Sequence, residues 1–401
     1  LHRAPVCTRE KAPGGFSHPK PGVKAVKSGR ESLKVIPIGG LGEVTRNMTI
    51  LEYKDDIIIV DAGLRFPEED MPGIDYVIPN VEYLQEKKDK IRGILFTHGH
   101  FDHIGAVPYI IDKLGYPPMY ATPLTKAIIL RRQEEFPSVH HLTIDEIKPG
   151  DRIKLGDYFE AEPVHVNHNI PQSVAFAIRT PVGLIFHTGD WKFDENPMNE
   201  APADIKRIKE LGKEGILLML CDALGSEREG RTISEKDVYA NLNTIFDEAK
   251  GMVIAGTFAS LLNRIRQLVD ISEKHGRKVV FDGYSLRTTA LIAKEMRYLN
   301  LKKGTEINME NIDDYPRSHV SALVTGAQGE GRAVFMRVAN EEHRYLKIHK
   351  DDTIIFSSSV VPGNERTVQI LKDKLYRTGA NIYHYQMMDI HAGGHGQQED
   401  L

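Results

Sequence analysis

Cysteine is scarce in this chain, with only Cys7 and Cys221 among 401 residues. The two lie far apart, and Cys7 sits in a stretch with few large apolar residues. A structural disulfide is therefore not expected, which fits a reducing, cytoplasmic setting. Long apolar runs are also missing. The densest, "GILLMLCDAL" from Gly215 to Leu224, falls well short of the roughly 20 residues that cross a bilayer. The first residues lack the apolar core of a signal peptide, and no membrane contact is expected. Nor is positive charge in excess: Lys and Arg number 52 against 56 Asp and Glu, a net charge of −4. Coating nucleic acid by bulk charge is thereby disfavoured, whereas a narrow local channel for one strand is not. Low-complexity sequence and short-period repeats are absent beyond residues 1–30, which are rich in Pro, Gly, Lys and Arg and read as a flexible basic tail.

The composition that remains, 41% hydrophobic and 27% charged, suits two domains with cores of their own. "LKVIPI", "MTILEY", "DIIIVDAG", "GILFT", "PMYAT", "FEAEPVHVNH", "SVAFAIRT", "GLIFHTGD" and "ILLML" read as strands. "IGAVPYIIDKLG" and "LTKAIILRRQEEF" read as helices. "GGLGE" at Gly39–Glu43 resembles a phosphate loop, but the residues after Glu43 look like a strand, so a dinucleotide site is rejected. After Ser234 the pattern alternates: "GMVIAGT", "KVVFDG", "SALVTGA" and "TIIFSSS" are strands. Each precedes a helical stretch: "SLLNRIRQLVDISEKHG", "LRTTALIAKEMRYL", "RAVFMRVANEEHRYL" and "NERTVQILKDKLYRTG". Such alternation implies a parallel sheet covered by helices.

Chemistry concentrates in "ILFTHGHFDHIG", where His98, His100, Asp102 and His103 fall within six positions between a strand and a helix. His98 and His100, two apart, point to one side of an extended segment. Asp102 and His103 come where the chain turns. Imidazole suits zinc, iron or manganese, and a carboxylate can bridge two ions. One loop cannot close two sites, so further ligands are sought beside other strands. His168 in "VNHNIPQS" and Asp190 in "FHTGDWKFD" are the candidates, with His165 and His187 read as structural. Asp61, ending "IIIVDAG", is placed to hydrogen-bond a ligand histidine and fix its tautomer. "SSSVVPGNE" offers the hydroxyls of Ser357, Ser358 and Ser359, and the turn residues Gly363 and Asn364. It reads either as a phosphate contact or as a capped strand–helix turn.

These motifs together resemble the β-CASP branch of the metallo-β-lactamase superfamily, and within it the ribonuclease J family. The resemblance rests on "IPIGGLGEV", "THGHFDHIGA", "NHNIPQS", "HTGDWKFD", "TFAS", "TGAQGE", "FSSSVVPGNE" and "HAGGHG", in order from residue 36 to 396. It implies an α/β fold: an αββα metallo-β-lactamase sandwich over 31–234, an inserted β-CASP domain over 235–388, and a return to the first domain over 389–401. RNA would enter between the two. His98, His100 and His168 would hold one metal, Asp102 and His103 the other, and Asp190 would bridge them. Two divalent ions are implied, zinc first, with manganese or magnesium as alternatives, and a hydroxide activated by both. Asp222 matches the family's acidic motif beside the metals. His395 matches the histidine near the scissile phosphate, and His391 a neighbouring family histidine. Ser357, Ser358, Ser359, Gly363, Asn364, His391, Gly393, Gly394 and His395 would contact RNA or its 5′-phosphate.

The implied activity is hydrolysis of RNA by 5′-to-3′ exonuclease action on 5′-monophosphate ends, with endonuclease cutting also admitted. The implied assembly is a homodimer or homotetramer. A thioester or lactone hydrolase of the same superfamily, and an inactive RNA-binding subunit, are the competing readings. The sequence departs from the family at Asn263, Gly331, Gly393, Ala223 and Leu224, changes that bear on the phosphate-pocket contacts and the exo- and endonuclease balance and leave the metal ligands intact. The family's last metal-binding histidine and its C-terminal domain have no counterpart before Leu401. From this the sequence reading expects one tightly and one loosely held metal.

Overall fold

The computed structural model describes residues 31–67, 71–361 and 363–401. The basic tail and Cys7 lie outside the described residues. Residues 33–401 form one compact unit built on three sheets.

The first sheet comprises β1 (Lys34–Gly39), β2 (Met48–Tyr53), β3 (Asp56–Val60), β4 (Ile91–Leu95), β5 (Met119–Ala121) and β6 (Ile144–Glu146). They lie side by side in chain order. β1 to β3 are antiparallel; β3 to β6 run parallel. The second sheet holds β7 (Ile153–Leu155), β8 (Phe159–His165), β9 (Val174–Thr180), β10 (Gly183–His187) and β11 (Ile216–Leu220). Their order is β11-β10-β9-β8-β7. Only β10 and β11 are parallel, and a helix over Ile205–Glu214 makes that crossover, as parallel strands require.

The two sheets pack face to face. Leu51, Ile58, Val60 and Leu95 from one meet Phe159, Phe176, Ile178 and Ile185 from the other. Alternate residues face outward: Ile50, Ile57, Ile59 and Ile94 lie under Ile104, Val107, Ile110 and Ile129. On the far side Ala175, Ala177 and Phe186 lie under Leu211 and Trp191. The period of two thus yields the αββα order.

The third sheet holds β12 (Val253–Gly256), β13 (Lys278–Asp282), β14 (Val320–Val324), β15 (Thr353–Phe356) and β16 (Asn381–His384), ordered β13-β14-β12-β15-β16. All its pairings are parallel. Both faces are covered, as a parallel sheet demands. Val253, Val279, Phe281, Leu323 and Ile355 pack under Leu242, Phe246, Leu262, Ile265 and Leu268. Ile254, Val280, Val324, Ile354 and Phe356 pack under Phe335, Leu371 and Leu375. Ile390 and Ala392 of the returning segment, and Leu124 and Ile170 of the first half, join the former cluster.

Two helices were not legible in the strand–helix pattern. Ile205–Glu214 is capped by Asp204, whose Oδ1 accepts from Arg207 N at 2.9 Å. It packs Ile208 and Leu211 into the far-side cluster. Glu235–Glu248 starts at Ser234, whose Oγ accepts from Lys236 N, and buries Val238, Leu242, Ile245 and Phe246, a helical spacing. Two expected helices are shorter. "IGAVPYIIDKLG" forms only the turn Val107–Ile110, after a separate turn Phe101–Ile104. "RAVFMRVANEEHRYL" is helical only over Val334–Ala339. Glu341 then takes a left-handed conformation (φ 62), and His343 turns inward to bond Asp282 at 2.8 Å. Among the described residues no helix is long and apolar enough to cross a membrane.

Candidate metal centre

The chemistry gathers at the C-terminal ends of strands from both sheets of the sandwich. His98, His100, Asp102 and His103 follow β4; His168 follows β8; Asp190 follows β10; Asp222 follows β11. His395 arrives on the returning segment. The turn after β10 needs Gly189: its φ is 57, and a Cβ there would sit 2.8 Å from Thr97 Cβ. Only glycine accepts both conditions.

The rings of His98, His168 and His103 are each aimed by a second nitrogen, whereas His100 Nε2 is buried without a partner. Thr97 Oγ1 donates to Asp61 Oδ2 (2.8 Å) and so can accept from His98 Nδ1 (3.0 Å). His168 Nδ1 donates to the carbonyl of Gly394 (2.6 Å), which has no proton to give. Both rings therefore present bare Nε2 lone pairs. Each lies 3.1 Å from His100 Nδ1. Three ring nitrogens thus converge with at most one proton among them. Burial pushes His98 and His168 well below the ordinary imidazole range, and His100 to about 3. Neutral lone pairs meeting in this way fit a cation.

A second group adjoins it. His103 Nδ1 lies 2.8 Å from Asp61 Oδ2, so Nε2 faces Asp190 Oδ2 (3.3 Å) and Asp102 Oδ2 (3.5 Å). Asp190 Oδ2 is also 3.8 Å from His98 Nε2 and 3.7 Å from His168 Nε2. It stands between the groups. Burial alone would lower His103, but Asp190, Asp102 and Asp61 raise it well above its usual range. Burial would raise Asp190, but His103 holds its carboxylate well below the ordinary range. Asp102 is raised, chiefly by burial. His98, His103 and Asp190 form one ligand-like group, His98, His100 and His168 another, and His168, Asp190 and His395 a third. This His/Asp cluster is compatible with divalent metals.

Asp222 and His395 pair beside it, Oδ2 to Nδ1 at 2.7 Å. Burial opposes a charge on His395, but Asp190 and Asp222 outweigh it and raise the pKa. Asp61 occupies a left-handed conformation (φ 63) and also accepts from Thr97 N at 2.8 Å. His165 bonds the Ala201 carbonyl and His187 accepts from Gly189 N, outside these groups. Sequence reasoning missed Thr97 and Asn47, whose Nδ2 donates to the Asp102 carbonyl (3.2 Å) and lies 3.1 Å from His103 Nε2. A Thr immediately before the first histidine is a readable cue; for Asn47 no local signal exists.

The expected phosphate residues divide. Ser357 is fully buried, and its hydroxyl donates to the Ile390 carbonyl (2.7 Å) while accepting from Arg264. That hydroxyl braces the loop against the returning segment. Gly394 likewise spends its carbonyl on His168. Ser358 Oγ and His391 Nδ1 are buried without a protein partner. Ser359 holds Gln328 through its carbonyl (2.8 Å). Gly363 N donates to Glu365, and Asn364 stands at the start of the helix Glu365–Tyr376 without a side-chain capping bond. Gly393 has open space around it.

Residues 41–188 match the model of the metallo-β-lactamase superfamily, and residues 250–375 match that of the ribonuclease J β-CASP domain. Ribonuclease J of Thermus thermophilus is 39% identical over 379 residues, covering 93% of this chain and 66% of that protein. Ribonuclease J2 of Bacillus subtilis is 35% identical over 94% of this chain and 67% of its own length. Ribonuclease J of Helicobacter pylori is 36% identical over 96% and 55%. The chain thus spans about half to two thirds of the curated relatives it matches. A crystal structure of a protein of unknown function from Enterococcus faecalis superposes with a TM-score of 0.66, over 92% of this chain and 90% of that one. At 18% identity it shows the fold alone. With both domain models matched in order and identity sustained over nearly its whole length, the chain belongs to the ribonuclease J family.

Proposed function

We propose that this chain is a metal-dependent ribonuclease that hydrolyses RNA phosphodiesters and leaves 5′-phosphates. The observation that carries it is the meeting of the His98, His100 and His168 nitrogens beside Asp190, in a chain whose relatives are named ribonuclease J. His98, His100 and His168 would hold one divalent ion, Asp102 and His103 a second, and Asp190 would touch both. Bound there, such ions supply Lewis acidity and an acidified water. Three imidazoles favour zinc; the carboxylates leave manganese and magnesium open. Asp222 keeps His395 Nδ1 protonated and frees Nε2 to hydrogen-bond a phosphate oxygen or the leaving group.

The reading takes 31–234 and 389–401 as the lactamase domain and 235–388 as the β-CASP domain, with RNA between them. A cytoplasmic homodimer or homotetramer completes it. Ser358 Oγ and His391 Nδ1, atoms buried without a partner, with the open Gly393, would take a single 5′-phosphate. The test is digestion of 5′-labelled RNA with and without added zinc or manganese. Cleavage that stops with chelator and resumes with metal is expected, faster on 5′-monophosphate than on 5′-triphosphate ends. Equal rates on both ends would remove the pocket. No cleavage with metal restored would overturn the enzyme and favour an RNA-binding subunit.

Asp61 tests the ligand assignment. Asp61→Asn keeps the shape and tolerates the positive φ, but weakens the hold on His103 and Thr97. Loss of such an orienting partner costs about 10–100-fold in metal affinity. Competition against a calibrated chelator measures it; unchanged affinity in a folded variant would contradict the assignment.

A further inference from the structure

Next to the loop that carries His100 and Asp102 lies a cluster of partly exposed aromatic rings that the proposed chemistry does not use; Tyr76 also packs on Tyr109 at 5.6 Å. Phe101 is the residue between His100 and Asp102, and 38% of it remains exposed. Phe66 is 57% and Tyr76 37% exposed. Ring centroids are 6.5 Å apart for Phe66–Phe101 and 5.9 Å for Phe66–Tyr76. Among the described residues only Tyr284 and Tyr376 are other aromatics as exposed, so three of five gather at this point.

Backbone bonds, not ring burial, place them. Arg65 and Val77 exchange two hydrogen bonds (2.8 and 2.9 Å), which sets Phe66 and Tyr76 on neighbouring strands of chain. Leu64 N donates to the Phe101 carbonyl at 3.0 Å. The Arg132 guanidinium stands 5.6 Å from the Phe101 ring, 5.7 Å from Tyr76 and 5.0 Å from Phe136. Arg132, itself ion-paired with Glu135, backs these rings from beneath, and Phe101 adjoins two proposed metal ligands; aromatic faces so placed suit a single-strand stacking surface.

We propose that Phe66, Tyr76 and Phe101, backed by Arg132, form a platform on which unpaired bases of the RNA stack as the strand passes the metal centre. The platform rests on the ribonuclease reading for its ligand, and it would act without sequence preference, because every base has a π-face. Phe101 is left in place for the test because it adjoins the ligands. The probe is a fluorescein-labelled single-stranded oligoribonucleotide, read by anisotropy with chelator present so that nothing is cut. Phe66→Ala/Tyr76→Ala is expected to bind about 10–100-fold more weakly than the unmodified protein. Phe66→Tyr/Tyr76→Phe, which keeps both ring faces, should retain the affinity. An oligomer of the same length with abasic sugars should bind both proteins equally weakly.

Unchanged affinity in the double alanine variant, or an equal loss on abasic RNA, overturns the platform. So does a change of oligomeric state on sedimentation with RNA affinity intact, which would make the patch a protein contact. Binding is read without cleavage. Failure here therefore leaves the ribonuclease reading to its own assay, and failure of that assay leaves this result standing.

Discussion

The expected result of Asp190→Ala is a folded protein that has lost RNA cleavage by on the order of 10⁴-fold or more, the scale on which reacting groups fail when one member of a unit is removed. Its Oδ2 lies 3.3 Å from His103 Nε2, 3.7 Å from His168 Nε2 and 3.8 Å from His98 Nε2. No other carboxylate among the described residues adjoins both histidine groups, so removing it strips a ligand from each proposed ion at once. The fold does not depend on that side chain. Thr188 N bonds the Leu220 carbonyl (3.0 Å) and Lys192 N the Asn167 carbonyl (2.8 Å), which hold the turn from both sides. Without metal, His103 keeps its partner Asp61 at 2.8 Å in the variant, so no buried charge is left alone. Metal stoichiometry by mass spectrometry under native conditions should fall with activity, while the thermal midpoint without metal stays near that of the parent. Near-normal turnover in the folded variant would sink the bridging assignment.

The sequence showed this site unevenly, for physical reasons. His98, His100, Asp102 and His103 share one turn, and local spacing is enough to read them. His168, Asp190, Asp222 and His395 come from four other places, and only strand ends and the family resemblance pointed to them. What orients the ligands was mostly invisible. The Gly394 carbonyl that fixes His168 is backbone and has no letter of its own. Ser357 looked like a donor because its strand end is plain in the sequence. That its hydroxyl is spent on Ile390, 33 residues on, depends on the returning segment. The individual strands and the parallel sheet were legible because periods of two and long buried β runs are local properties, whereas the sandwich was implied only by the family resemblance. The helix Ile205–Glu214 was not, because its apolar stripe is narrow among six charged residues.

The largest stability effect should come from the charges buried under that returning segment. Glu235, Arg264 and Lys192 are each no more than 4% exposed. Glu235 Oε2 accepts from Arg264 Nη2 (2.8 Å) and Gln267 Nε2 (3.0 Å), and Oε1 from Lys192 Nζ (3.4 Å). Arg264 also donates to Ser357 Oγ and the Ile390 carbonyl, which ties the β-CASP part to the loop carrying His395. Arg264→Met fills similar space but strips Glu235 of its main cationic partner and leaves only the longer lysine contact. Breaking one side of a buried pair costs about 3–5 kcal/mol, and the urea midpoint should drop accordingly. RNA cleavage should fall with it, because His395 loses its support.

Acid tests the same network. Burial would raise the Glu235 carboxyl, but Arg264 and Lys192 outweigh it and hold it at about 2, against an ordinary 4.5. A depressed folded pKa gives stability that is present above 4.5 and drains as pH falls toward 2. The amount is on the order of 3 kcal/mol, from 1.36 kcal/mol per pKa unit. Glu235→Gln should therefore be destabilised against the parent at pH 6, and the gap should close as both are acidified through that window. If the gap at pH 3 equals the gap at pH 6, Glu235 is held by packing and not by its charge.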